Sequence, residues 1–112
     1  MLNSGDVVDV DLGVPTGSEA GLFRPAVVVT AQRILTRLPT VVQVVPLTRT
    51  LRGYETEVVI AADDGNGLAA DSAAQCQHIR ALARSRVRER LGNVGAAALA
   101  QVRDTLAILL DT

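Results

Sequence analysis

Eleven arginines are the only cations among these 112 residues, set against twelve carboxylates, one histidine (His78) and one cysteine (Cys76). Lysine is absent, which excludes Schiff-base and nucleophilic-amine chemistry. A single His rules out paired-His acid–base catalysis and HExxH-type metal binding within one chain, and a single Cys rules out an intrachain disulfide or a multi-Cys zinc site. Arginine is therefore left to make every cationic contact to an anion such as phosphate, through its planar fork of N–H donors. No metal-ligand pattern and no cofactor motif is read. The formal net charge of −1 excludes a cationic coat over the whole molecule but not a local basic cleft.

The elements that must position these groups are mainly β. Asp6–Leu12 carries β-branched residues with partial alternation and predicts a half-buried strand. Gly13–Phe23, with Gly13, Pro15, Gly17, Ser18 and Gly21, predicts a loop. Pro25–Thr30 and Val41–Leu47 read as buried strands on either side of a short helix, Ala31–Leu38, whose inner side would be Ile34, Leu35 and Leu38. Thr48–Gly53 is a polar connector. Glu55–Ile60 alternates, with Glu55 and Glu57 expected outward and Thr56, Val58 and Ile60 inward. Asp63–Gly67 is a turn, and Ser72–Leu82 is expected to be one continuous strand.

Ala83–Leu91 fits a helix or a strand, the latter aligning Arg84, Arg86, Arg88 and Arg90 on one face. Gly95–Leu110 predicts a helix with Leu99, Val102, Leu106, Leu109 and Leu110 on one stripe, serving core or dimer packing. Five or six strands plus this helix predict a single domain over 1–112, a strongly bent antiparallel sheet or partial barrel. No apolar run approaches the ~18 residues of a membrane span, and Asp6, Asp9 and Asp11 do not suit a signal peptide, so a soluble, cytoplasmic protein with no membrane partner is expected.

One ordered series adds more. It runs Gly5-Asp6, Val10-Asp11-Leu12, Gly17-Ser18-Glu19, Arg24-Pro25-Ala26 with three valines, Val45-Pro46-Leu47-Thr48, Ala70-Asp71-Ser72, Ile79-Arg80 and Arg90-Leu91-Gly92. In order and spacing, from Gly5 to the C-terminal helix, this resembles the MazF/PemK (Kid) family of toxin endoribonucleases. The resemblance implies an SH3-like small barrel of the CcdB/PemK type and a homodimer. It also implies metal-independent cleavage of single-stranded RNA at short sequences, leaving 2′,3′-cyclic phosphate and 5′-hydroxyl ends. A cognate MazE-like antitoxin, typically through an acidic flexible segment, would neutralise it.

On the family pattern Arg24 and Thr48 carry the chemistry. Attack of a ribose 2′-OH on its own phosphate needs a proton acceptor, a donor to the departing oxygen, and stabilisation of charge on the phosphoryl oxygens. Arg24, at the mouth of a strand, suits the last of these, and Thr48 can donate a hydroxyl hydrogen bond to the same oxygens. A guanidinium is too weak an acid to shuttle protons readily, so electrostatic stabilisation is the role assigned to Arg24. Glu19, beside Ser18, and His78 are the candidates for the base.

Ser18, Glu19, Phe23, Arg49, Arg52, Gln77, His78 and Arg80 are the expected substrate contacts, with Arg80 expected to pair with Asp71 or Glu19. Two positions depart from the family: Gln77-His78 stands where a Glu-Gln pair is usual, and Val8 where an aromatic is usual. Base stacking then falls to Phe23, Arg planes or the His78 ring.

A CcdB-like toxin that poisons a topoisomerase, and a degenerate member that only binds RNA or antitoxin, are the alternatives. The first fits poorly with a chain that ends Leu109-Leu110-Asp111-Thr112 and contains no Trp. The charge balance predicts segregation, with Arg24, Arg49, Arg52 and Arg80 around the site and Glu55, Glu57, Asp63 and Asp64 together elsewhere. That prediction fails if the arginines lie on the face opposite Thr48.

Overall fold

A computed structural model describes residues 1–14, 17 and 22–112. The elements are β1 (Asp6–Asp11), β2 (Phe23–Val28), α1 (Gln32–Leu35), β3 (Val41–Thr48), β4 (Glu57–Ile60), β5 (Ser72–Gln75), β6 (Arg80–Ala83), β7 (Val87–Asn93) and α2 (Gly95–Leu110). All seven strands join one antiparallel sheet in the order β4-β5-β3-β2-β1-β7, with β6 also paired to β3. This is the mainly β, strongly bent architecture with a C-terminal helix that the residue pattern predicts, with one strand more than expected.

The strand β3 is the pivot. One edge pairs with β2, Ala26 opposite Pro46; the other pairs with β6 through Val41–Val44 and then with β5 through Leu47 and Thr48. The predicted continuous strand Ser72–Leu82 is therefore broken. A 3-10 turn, Cys76–His78, lies between β5 and β6. Its cause is visible in its contacts: Cys76 turns its thiol toward the Val102 carbonyl of α2 (3.8 Å), and Gln77 reaches Glu57 on β4. Register irregularities between Val7 and Val10, where β1 meets β7, add bending at the far side.

Alternation along the strands feeds two cores, one on each face. Val8, Val10, Ala26, Val28, Val42, Val44 and Leu82 line the concave face with Leu35. Val7, Val27, Val45, Leu47, Ala74 and Ile60 face the other way and are covered by Val102 and Leu106 of α2. With 2% aromatic residues, the cores are filled by many valines, each contributing about 1.5–3 kcal/mol on full burial.

Other expectations need correction. The short helix has only Leu35 inside, while Ile34 and Leu38 are exposed, because the helix ends after one turn and Leu38 adopts φ 53°. The arginine segment is a 3-10 turn at Arg84–Arg86 followed by strand from Val87. Of the α2 stripe, Leu99, Val102 and Leu106 are buried and Leu109 and Leu110 are exposed, which the core-or-dimer expectation allows. Among the described residues no helix is long and apolar enough to cross a membrane.

Candidate active site

On β2, Ala26 and Val28 point into the concave core, so Arg24, two residues earlier, lies on that same face at its open end. It stands opposite Val10 of β1. Thr48 shares the parity of Val42 and Val44 on β3, and extending the β2–β3 register by two residues brings it across from Arg24. Ala74 and Cys76 belong to the helix-side core, which leaves Gln75 on the concave side; Glu57 pairs with Gln75 in register. Arg80 is opposite Val44 and so shares this face. The three strands β2, β3 and β5 thus deliver Arg24, Thr48 and Gln75 to one cleft, with Glu57 brought in by β4.

A chain of hydrogen bonds runs through it. Arg24 Nη1 donates to Gln75 Oε1 (3.2 Å), and Gln75 Nε2 donates to Glu57 Oε2 (3.3 Å). The same carboxylate oxygen accepts from Gln77 Nε2 and from Arg52 Nη2, both at 2.7 Å. The Glu57 side chain is only 2% exposed. Burial pushes its carboxyl up, but the hydrogen bonds from Arg52, Gln77 and Gln75 outweigh burial and hold it below its ordinary value. The Arg52 guanidinium is in turn held more firmly charged, chiefly by its hydrogen bond to Glu57, and it lies 4.7 Å from the centroid of the Tyr54 ring.

Glu57 and Gln75 were not among the residues expected at the site. The period of Glu55–Ile60 places Glu57 outward with respect to the core under α2, and that parity is right. Because the sheet is bent and both faces are occupied, outward from one core is inward to the cleft of the other. The available signal was the alternating pair Gln75 and Gln77 on either side of Cys76, after the small residues Ala73 and Ala74.

The other expected residues divide. The Thr48 hydroxyl oxygen accepts the Thr50 N–H (3.2 Å), which leaves its own proton for an outside acceptor. Arg80 does not pair with Asp71; it donates to the Leu12 carbonyl (3.2 Å), while Asp71 accepts the Ala62 N–H. Phe23 is 60% exposed and has the Arg88 guanidinium 5.3 Å from its ring centroid.

Arg49 is exposed immediately after Thr48, and the half-buried His78 ends the 3-10 turn, so strand alternation does not set its direction. Ser18 and Glu19 lie outside the described residues. Val8 is fully buried in the concave core, where a side chain cannot stack on a base. Three of the four arginines that the charge argument names, Arg24, Arg52 and Arg80, lie on the Thr48 side, while Arg49 follows Thr48 as an exposed residue; Glu57 belongs with these arginines and not with Glu55, Asp63 and Asp64.

Burial pushes the Cys76 thiol up to about 11, with the Glu57 charge adding to it, so this thiol stays protonated and serves as a core group.

Residues 3–110 match the family model of the PemK-like, MazF-like toxins of type II toxin–antitoxin systems. The chain is 40% identical to the endoribonuclease MazF9 of Mycobacterium tuberculosis, over 99% of this chain and 98% of that one. It superposes on the crystal structure of MazF from Deinococcus radiodurans with a TM-score of 0.83 and 30% identity, covering 99% of this chain and 97% of that one. A MazE–MazF crystal structure from the same organism gives a TM-score of 0.77 at 30% identity, covering 99% and 96%. The chain therefore belongs to the PemK-like, MazF-like toxins of type II toxin–antitoxin systems.

Proposed function

We propose that this chain is an endoribonuclease toxin that cuts single-stranded RNA at short sequences without a metal ion. The 2′-OH on the 5′ side of the scissile bond attacks its own phosphorus, the bond to the 5′-oxygen of the next nucleotide breaks, and the ends are 2′,3′-cyclic phosphate and 5′-hydroxyl. One observation carries this reading: Arg24 reaches the cleft held by the neutral amide of Gln75, so its positive charge is left for a phosphate. Thr48, on the same face, supplies a hydroxyl donor to the phosphoryl oxygens. The added charge on those oxygens is what such donors stabilise, an effect worth about 3–4 kcal/mol per group in comparable sites.

Glu19 and His78 are the candidates to take and return the proton. The exposed rim of Phe23, Tyr54, Arg49 and Arg52 supplies stacking faces and phosphate contacts for unpaired nucleotides. Gln77, Arg80 and Ser18 complete the expected substrate contacts. Cytoplasmic residence, where messenger RNA is available, accompanies this reading.

A MazE-like antitoxin is the proposed macromolecular partner, supported by the 30%-identical MazF solved with MazE. A homodimer is supported by the end of α2, where Ile108 is 83% exposed and Leu110 55%. The test is incubation of the purified protein with a long single-stranded RNA in EDTA. Discrete cuts with 5′-hydroxyl ends are expected; RNA or antitoxin binding without cleavage would identify a degenerate member instead.

A further inference from the structure

A buried carboxylate two hydrogen bonds away from Arg24 is costly, and its arrangement is not the one that stability alone would choose. Glu57 collects three donors on Oε2, while its Oε1 and the Oε1 of Gln77 are buried with no donor among the described residues. Each such orphaned acceptor costs about 1–3 kcal/mol. An apolar residue on β4 would avoid that cost, so the carboxylate has another use.

That use follows from donor and acceptor polarity. A glutamine amide presents a donor at one end and an acceptor at the other. With the Glu57 carboxylate at its Nε2 end, the Gln75 amide must turn Oε1 toward Arg24; the flipped amide would set N–H groups against the guanidinium. The anion also polarises the amide and strengthens Oε1 as an acceptor. The relay separates the negative charge from Arg24 by a neutral group, whereas a direct carboxylate–Arg24 pair would neutralise the cation that a phosphate needs. Arg52, and not Arg24, compensates Glu57.

We propose that Glu57 is a positioning residue: acting through the Gln75 amide, it aims the Arg24 guanidinium at the scissile phosphate while leaving its charge uncompensated. This rests on the RNA-cleaving reading of the site. Two variants test it from opposite ends, Glu57→Gln, which removes the anion, and Gln75→Leu, which removes the amide and leaves the Arg52–Glu57 pair in place. Both are expected to lower kcat at least about tenfold with KM changed less than about threefold. Glu57→Asp is expected to recover part of the loss.

A second readout does not depend on turnover. In 15N-arginine NMR of the intact protein, the Arg24 Nη signals, assigned by their loss in Arg24→Lys, are expected to be resolved by slowed rotation. In both relay variants they should collapse to an average. If Glu57→Gln does not fold, Gln75→Leu decides the matter in both readouts. Full activity with unchanged Arg24 signals in Gln75→Leu would overturn the proposal, and so would a Glu57→Gln protein with full activity and parental Arg24 signals. If the parent cut no RNA, the functional reading would fall, and the NMR comparison would still decide the relay.

Discussion

Arg24 Nη1 meets Gln75 Oε1 at 3.2 Å, across the strand that lies between their own. The partner is an amide and not a carboxylate. A surface or cleft arginine is most simply fixed by Asp or Glu, and such a pair would compete directly with a phosphate for the same fork of donors. Gln75→Glu is nearly isosteric and should therefore create an Arg24 ion pair. Its expected consequence is an RNA dissociation constant raised at least about tenfold, measured by fluorescence anisotropy on an uncleavable 2′-deoxy oligonucleotide.

The depressed Glu57 carboxyl makes a signed statement about acid stability. A folded-state value below the ordinary 4.5 means that the stabilisation is fully present above the unfolded-state value and is lost as pH falls through the folded one. The parent should thus be more stable than Glu57→Gln at neutral pH, and the gap should begin to close only once the pH falls below the ordinary carboxyl value of 4.5. Thermal midpoints of the two proteins from pH 7 downward check this. A gap that narrowed between pH 7 and 6 would assign the titration to another group.

The turn at Asp63–Gly67 is fastened to β7 by backbone contact. Asn66, 1% exposed, accepts the Asp63 and Leu68 N–H groups and donates to the Ala61 carbonyl. Gly92 lies so near Gly65 and Asn66 that an added Cβ would overlap the Gly65 carbonyl oxygen, and both sides of the clash are backbone. Gly92→Ala is expected to lose about 2 kcal/mol or more of stability. Urea denaturation measures it, and a loss under about 0.5 kcal/mol would mean that the two segments part easily.

Ile108 and Leu110 near the end of α2 are too exposed to serve the core of one protomer. Placing a charge there should break the proposed dimer without disturbing Val102 and Leu106 beneath. Ile108→Glu with Leu110→Glu is expected to sediment as a monomer with an unchanged circular dichroism spectrum. A parent that is itself monomeric at micromolar concentration would remove the dimer from this account.

Much of the fold is legible in local pattern: the valine runs of β2 and β3, the turn built on Asp63–Gly67 and the helix Gly95–Leu110 all stand where their residues imply. What the sequence hides is tertiary. No local property of Ser72–Leu82 announces the turn at Cys76–His78, which exists because β5 and β6 pair with different stretches of β3. Glu57 has the alternation of a solvent-facing residue, and only the bend that gives the sheet two filled faces puts it inside. Arg24 and Thr48 were recognisable from the order of residues around them; the amide joining Arg24 to Glu57 needed the register of four strands.

The central claim is that Arg24 bears the charge that develops on the phosphate during cleavage. The direct measurement is single-turnover cleavage of one mapped site in single-stranded RNA, in EDTA, by the parent and by Arg24→Ala. The account predicts 5′-hydroxyl products from the parent and a rate at least about a hundredfold lower in the variant, with the fold intact by circular dichroism. An Arg24→Ala protein that cuts the same site at the parental rate would contradict it.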